Sequence, residues 1–210
     1  RAPMRRLLTL LALLALAGAA RAQTREVRID IAGGGRRTQI HCEPFAAGRL
    51  PAGAPAARQV DEVLAADLEQ SAVFLVSRAW AGQTPFDVQA VTGGRWKVDG
   101  GQATLEGAVR DVPARRPILV RSYRGPVAEW RSLVHRFADD VVLQFTGEPG
   151  VAGSRIAFVA KEGRTKELWV MDLDGANARP LTRDGSIALS PSWSPDGALL
   201  AFSSYRDGGP

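Results

Sequence analysis

Cysteine is almost missing from this chain: Cys42 is the only one in 210 residues. With one thiol no intrachain disulfide can form, and a structural zinc site of the usual cysteine-rich kind is excluded. Cys42 closes the stretch Gln39-Ile40-His41-Cys42, where burial in a strand fits better than redox chemistry. Histidine is nearly as scarce, with only His41 and His135, and neither has a second histidine at helical spacing to share a metal. His135 lies beside Val134 and reads as a surface or helix-packing residue, not a general base. No Gly-x-Ser-x-Gly nucleophile elbow is present. Gly33-Gly34-Gly35-Arg36-Arg37 lacks the lysine and the spacing of a phosphate-binding P-loop, and reads as a turn. Asp172-Leu173-Asp174-Gly175 opens like a calcium loop, but the later ligands are missing, so it reads as a hairpin turn. Catalytic residues, cofactor-binding residues and metal ligands are therefore all expected to be none. The chain reads as a binder, not an enzyme.

Long apolar runs are also lacking beyond the start. Met4-Arg5-Arg6 is a short cationic opening, Leu7 to Ala17 is apolar apart from Thr9, and Ala20-Arg21-Ala22 supplies an A-x-A cleavage pattern. The run is short of the ~20 apolar residues that a bilayer span requires. Residues 1–22 are thus expected to be a signal peptide cleaved before Gln23, with Arg1 to Pro3 preceding the initiator and not native. Cys42 is too far from that point to be the acylated first residue of a lipoprotein. The same segment holds four arginines and no acid, out of a net charge of +5. Without it the chain is close to neutral, and its remaining Lys and Arg are scattered among Asp and Glu. A nucleic-acid footprint would need a basic face. None is apparent.

The rest has two halves. From Gln23 to about Gly147 strands and helices mix. Val27, Ile29 and Ile31 alternate with Arg28 and Asp30 as in a half-buried strand, and after the glycines a second strand is expected through Phe45. Ala46 to Ala57 reads as a loop. Val60, Val63, Leu64 and Leu68 have helical spacing, with Asp61, Glu62, Asp67 and Glu69 expected on the other faces. Val73 to Val76 reads as a return strand. Arg95 to Val98 and Ala103 to Val109 flank Asp99-Gly100-Gly101, a hairpin signal, and Ile118 to Tyr123 adds a strand. Gly125-Pro126 is expected to open a helix whose apolar face is Trp130, Leu133, Val134, Phe137, Val141 and Phe145, ending at Gly147. Two helices on a mixed sheet of about five strands make an α+β domain.

After Arg155 the helical period stops. Arg155 to Val159 and Glu167 to Met171 are short strands, and Asp174-Gly175 and Asp196-Gly197 are hairpin-type dipeptides. Ile156-Ala157-Phe158 recurs as Leu200-Ala201-Phe202, 44 residues on, which is the period of a four-stranded propeller blade.

The run from Ile156 through Glu167-Leu168-Trp169-Val170-Met171-Asp172-Leu173-Asp174-Gly175-Ala176-Asn177 to Pro180-Leu181-Thr182 resembles the repeat of TolB-type propellers. Ser190 to Gly197 and Leu200 to Ser203 continue it. Propellers of prolyl-oligopeptidase-like and tricorn-like proteins share this repeat. Arg121 to Pro126, Glu129-Trp130-Arg131, His135 to Asp140, Leu143 and Thr146 to Gly150 resemble the end of the TolB amino-terminal domain, with Gln144-Phe145 as a departure. Residues 121–207 match well, Arg25 to Val76 match in outline, and the middle, between Arg78 and Arg116, departs from the family wording. The implied layout is a signal peptide (1–22), an amino-terminal α/β domain (23–148) and the first blade with the start of a second (151–210) of an all-β propeller of TolB/WD40-like repeats, here truncated.

This resemblance implies a periplasmic adaptor of the Tol–Pal system, supporting outer-membrane integrity, protein import and constriction during cell division. Its propeller would bind the lipoprotein Pal, and its amino-terminal strand would bind TolA. Thr24, Arg25, Glu26, Val27, Arg28, Ile29, Asp30 and Ile31 match that strand. An extended segment near a free terminus can add to another sheet edge, although an ordinary edge strand has the same pattern. The alternatives are the propeller portion of a prolyl-oligopeptidase-like hydrolase and a stand-alone ligand-binding propeller. A Gly-x-Ser-x-Gly segment downstream of Pro210 would mark the hydrolase. About one blade and an opening are expected to leave Ile156, Phe158, Leu168, Trp169, Trp193 and Phe202 short of partners. Proteolysis is then expected after about Pro149, with no Pal binding.

Overall fold

A computed structural model describes residues 37–82 and 87–209, which fall in one compact unit. The expected signal peptide, the Val27–Ile31 strand, the Thr24–Ile31 partner segment and the glycine turn lie outside the described residues. Strands β1 (Thr38–Cys42), β2 (Ala46–Ala47), β3 (Phe74–Arg78), β4 (Ala90–Asp99), β5 (Gln102–Asp111) and β6 (Arg116–Pro126) form one mixed sheet. Its order is β3-β1-β4-β5-β6, with β2 beside β4; β1 is parallel to β3 and β4, whereas β4, β5 and β6 are antiparallel. Helices α1 (Ala57–Gln70) and α2 (Trp130–Thr146) complete this layer. The α+β expectation holds, with the two-residue β2 added at the start of the stretch read as a loop.

Alternation along the strands explains why one face is covered. Ile40, Cys42, Phe74, Trp96, Leu105, Val109, Leu119 and Tyr123 are buried in one cluster with Val60, Leu64 and Leu68 of α1 and Leu133, Val134, Phe137 and Val141 of α2. The opposite face carries exposed ion pairs, Lys97 to Glu106 at 2.8 Å and Arg110 to Glu43 at 2.9 Å. Trp96 is wholly buried, and its Nε1–H donates to Pro55 O at 2.9 Å, which anchors the loop before α1. The β4–β5 hairpin turns on Gly100 and Gly101, both at positive φ, as a two-residue hairpin loop demands.

Three local expectations are corrected. Gly125 and Pro126 end β6 instead of opening a helix; a 3-10 turn over Val127–Glu129 follows, and α2 starts at Trp130. Proline fits there because β6 is an edge strand, where a missing N–H breaks no ladder. Asp61 and Asp67 are not on an outer face of α1 but are 3% and 4% exposed. Asp61 accepts the Phe45 N–H at 2.8 Å and so secures the chain after β1, which offsets the cost of its burial. Leu168 is not short of partners but fully buried.

Beyond α2, β7 (Arg155–Glu162), β8 (Thr165–Asp172) and β9 (Arg179–Pro180) form a three-stranded antiparallel sheet, and β10 (Ala188–Trp193) pairs with β11 (Leu200–Ser204). Glu167 fastens the loop between β9 and β10: its carboxylate accepts Thr182 Oγ1 at 2.6 Å and the Gly185 N–H at 2.8 Å. The β10–β11 hairpin meets the β7–β9 sheet where the Arg155 guanidinium lies 5.1 Å over the Trp193 ring. Ile156, Phe158, Trp169 and Trp193 are half-buried, and Phe202 is exposed. No helix among the described residues is long and apolar enough to cross a membrane.

Candidate functional site

Three titratable side chains with little exposure come together where the α/β layer meets the turn between β8 and β9. The amphipathic spacing of α1 places Asp67 seven residues after Val60, on the same inward face. On α2, His135 stands one residue after Val134 and is 3% exposed. Asp174 comes from the Asp-Gly turn between β8 and β9, where its Oδ1 accepts the Ala176 N–H at 2.9 Å.

These three side chains form a line. His135 Nδ1 lies 2.7 Å from Asp67 Oδ2, and on the other side of the ring Nε2 lies 3.4 Å from Asp174 Oδ2. Nε2 is buried and makes no well-aligned hydrogen bond. Arg131, one turn earlier on α2, sends Nε (3.1 Å) and a terminal nitrogen to the same Asp174 Oδ2. Burial works against the imidazolium, yet the hydrogen bond to Asp67 and the charges of Asp67 and Asp174 together hold the His135 pKa above its ordinary value. Burial also pushes the Asp67 carboxyl up, against the pull of His135. For Asp174 burial is outweighed by the Ala176 N–H and by Arg131, which keep its pKa low.

One turn on, Asp139 clasps the connection into β7, accepting the Ala152 N–H at 2.7 Å and the Gly153 N–H at 3.1 Å. Gly150 is required there, since a Cβ would stand 2.3 Å from Asp139 Oδ1. A groove of about 370 Å³ beside the cluster runs between α1, at Arg58, Glu62 and Gln70, and the Arg131–Asp174 pair.

Asp67, His135 and Asp174 are the metal-type donors that come together among the described residues, within 4.8 Å of one another. However, the two carboxylates sit at opposite ring nitrogens, and Arg131 already occupies the Asp174 oxygen that faces Nε2. The geometry is that of a carboxylate–imidazole–carboxylate ion network.

Sequence reasoning placed His135 on the helix but missed its partners. The legible signal was a histidine and an aspartate each next to the apolar stripe of its helix; their pairing across the fold was not. The expected partner segment Thr24–Ile31 lies outside the described residues. His41 stands apart from the cluster, with Nδ1 2.8 Å from Ser77 Oγ. Cys42 is buried, and burial lifts its thiol pKa to about 12. Since the thiolate is the nucleophile, Cys42 should resist iodoacetamide at pH 8 in the native protein and react promptly in guanidinium. Alkylation at equal rates in both states would show that β1 is open.

A family model described as the TolB beta propeller domain matches residues 142–210. The chain is 34% identical over 225 residues to the Tol-Pal system protein TolB of Ruegeria sp. (strain TM1040), covering 95% of this chain and 50% of that protein. To the protein of the same name from Anaeromyxobacter dehalogenans (strain 2CP-1 / ATCC BAA-258) it is 38% identical over 180 residues, covering 78% and 41%. To that of Desulfosudis oleivorans it is 43% identical over 120 residues, covering 57% and 27%. The chain therefore spans half or less of the length of these curated relatives. Among solved structures, TolB from Acinetobacter baumannii superposes with a TM-score of 0.68 at 21% identity, over 82% of this chain and 45% of that one. That likeness concerns the fold.

Proposed function

Because the chain belongs to the TolB family, we propose that it is a periplasmic, non-catalytic adaptor of the Tol–Pal system that works by joining partner proteins. In this reading Thr24–Ile31 recruits a TolA-like domain by adding a strand to its sheet, and the propeller binds Pal. The joined chain would serve outer-membrane integrity, protein import and constriction during division. The observation that carries the reading is the match across 95% of the chain to a relative named as a Tol-Pal system protein. Two features agree with it. The start of the sequence has the three parts of an export signal, and Val27, Ile29 and Ile31 alternate with Arg28 and Asp30, the sequence pattern from which strand addition is inferred.

Deleting Thr24–Ile31 should abolish capture by a TolA-like carboxy-terminal domain while leaving the circular dichroism of the remainder in place. Among the described residues the hydrophobic cluster of the α/β layer draws on two helices and the sheet from Ile40 to Val142, and terminal segments tolerate removal best. Undiminished capture by the deleted protein, with its fold intact, would remove the strand-addition reading.

A further inference from the structure

We propose that His135 is a protonation-controlled clasp between the α/β layer and the first blade: as imidazolium it ties Asp67 of α1 to Asp174 of the β8–β9 turn, and as neutral imidazole it releases that turn. This goes beyond the adaptor reading and does not depend on it.

The geometry demands different things of the two ring forms. Asp67 Oδ2 is the nearer carboxylate, 2.7 Å from Nδ1, so the clasp places the proton of the neutral ring on Nδ1, as it does one of the two protons of the imidazolium. Nε2 faces Asp174 Oδ2 at 3.4 Å with no other acceptor or donor aligned to it. Protonated, Nε2 presents N–H to a carboxylate, and all three groups gain. Unprotonated, it presents a lone pair to a carboxylate in a space where the His135 and Asp174 side chains are only 4% and 7% exposed, so water has little access to separate the two acceptors.

The charged groups around the ring come from each element that meets there. Asp67 is supplied by α1, Arg131 and Asp139 by α2, and Asp174 by the turn. Asp139 is already satisfied by two backbone N–H groups, and Arg131 is committed to Asp174. With three carboxylates facing one guanidinium, charging His135 halves the excess of negative charge. His135 is raised in the folded protein, so its contribution is complete below the ordinary histidine value of about 6.5 and is lost as pH rises through the higher folded value. Asp174 is lowered, so its contribution is lost only when pH falls through that low value. Asp67 is raised by burial, so as pH falls it takes up a proton before Asp174 does and sets the acid limit. The clasp is closed between that raised value and the folded value of His135, and it opens toward alkaline pH.

NMR titration of the imidazole resonances of the full chain, assigned by their loss in His135→Gln, reads the protonation directly. Amide exchange at Leu173, whose N–H donates to Ser154 O, and at Ala176, whose N–H donates to Asp174, reads the turn. The expected result is a His135 pKa above its ordinary value and a step down in protection as pH passes through it. The step should be about ten-fold for each unit of elevation. His135→Gln should lack the step. If that variant does not fold, Asp174→Asn supplies the test, because it should lower the His135 pKa and move the step with it. A His135 pKa at or below the ordinary value would overturn the proposal. So would a raised pKa with no accompanying step in protection, which would leave His135 as packing alone.

Discussion

Gly94→Ala should be among the most damaging single-methyl additions in the α/β layer, destabilising the protein by about 3 kcal/mol. Gly94 sits in β4 opposite Gly107 of β5, and a Cβ built on it would stand 1.9 Å from the Glu106 carbonyl oxygen and 2.9 Å from Phe45 Cε1. The first of these neighbours is backbone in a paired strand, so no rotamer change relieves the contact. Separating β4 from β5 would stretch the ladder that joins the parallel half of the sheet to its antiparallel half, and Phe45 would be displaced from the core. Urea denaturation followed by tryptophan fluorescence should show a large drop in midpoint with little change in slope. A stability within ~0.5 kcal/mol of the parent would mean that Gly94 does not lie so close to the Glu106 carbonyl.

Phe137→Ala should cost about 3–5 kcal/mol, the range for emptying a buried aromatic site. The Phe137 ring is fully buried between Phe45 and Tyr123, at centroid distances of 6.5 and 6.3 Å. Beneath it lies Gly107, where a Cβ would come within 2.5–2.7 Å of three ring atoms. The ring thus rests directly on the strand backbone, which only glycine permits. Two consequences can be separated by a double-mutant cycle. Gly107→Ala alone overpacks the site, whereas in the Phe137→Ala background the added methyl enters the vacated space. The double variant should therefore be more stable than additivity predicts by about 1 kcal/mol or more, within the range for residues in contact. Additive losses would mean that Phe137 does not lie on Gly107.

Legibility in the sequence followed the range of the interaction. The strands around Trp96, Leu105 and Leu119 were readable because alternation along a strand is a local property, and the helical spacing of Val60, Val63, Leu64 and Leu68 likewise needs no partner. Asp99-Gly100-Gly101 announced its hairpin because positive φ at both central positions selects glycine. Gly125-Pro126 was misread because proline suits the first turn of a helix and the end of an edge strand equally, and only the pairing of β6 with β5 separates the two.

What the sequence by itself determined is the inventory: a mixed α+β half, a propeller-type repeat and the TolB-type wording of residues 121–207. What only the tertiary structure decided is which polar groups meet. Asp61 and Asp67 looked like part of the solvated side of α1 because a carboxylate beside an apolar stripe is ordinarily solvated. Each is instead buried, since a distant segment supplies a donor: the Phe45 N–H for Asp61 and the His135 ring for Asp67. Asp67 and His135 are 68 residues apart, and Arg131 and Asp174 are 43 apart. No periodicity or motif encodes such pairs, because a buried charge is stabilised by whatever partner the packing of the elements brings within hydrogen-bond distance.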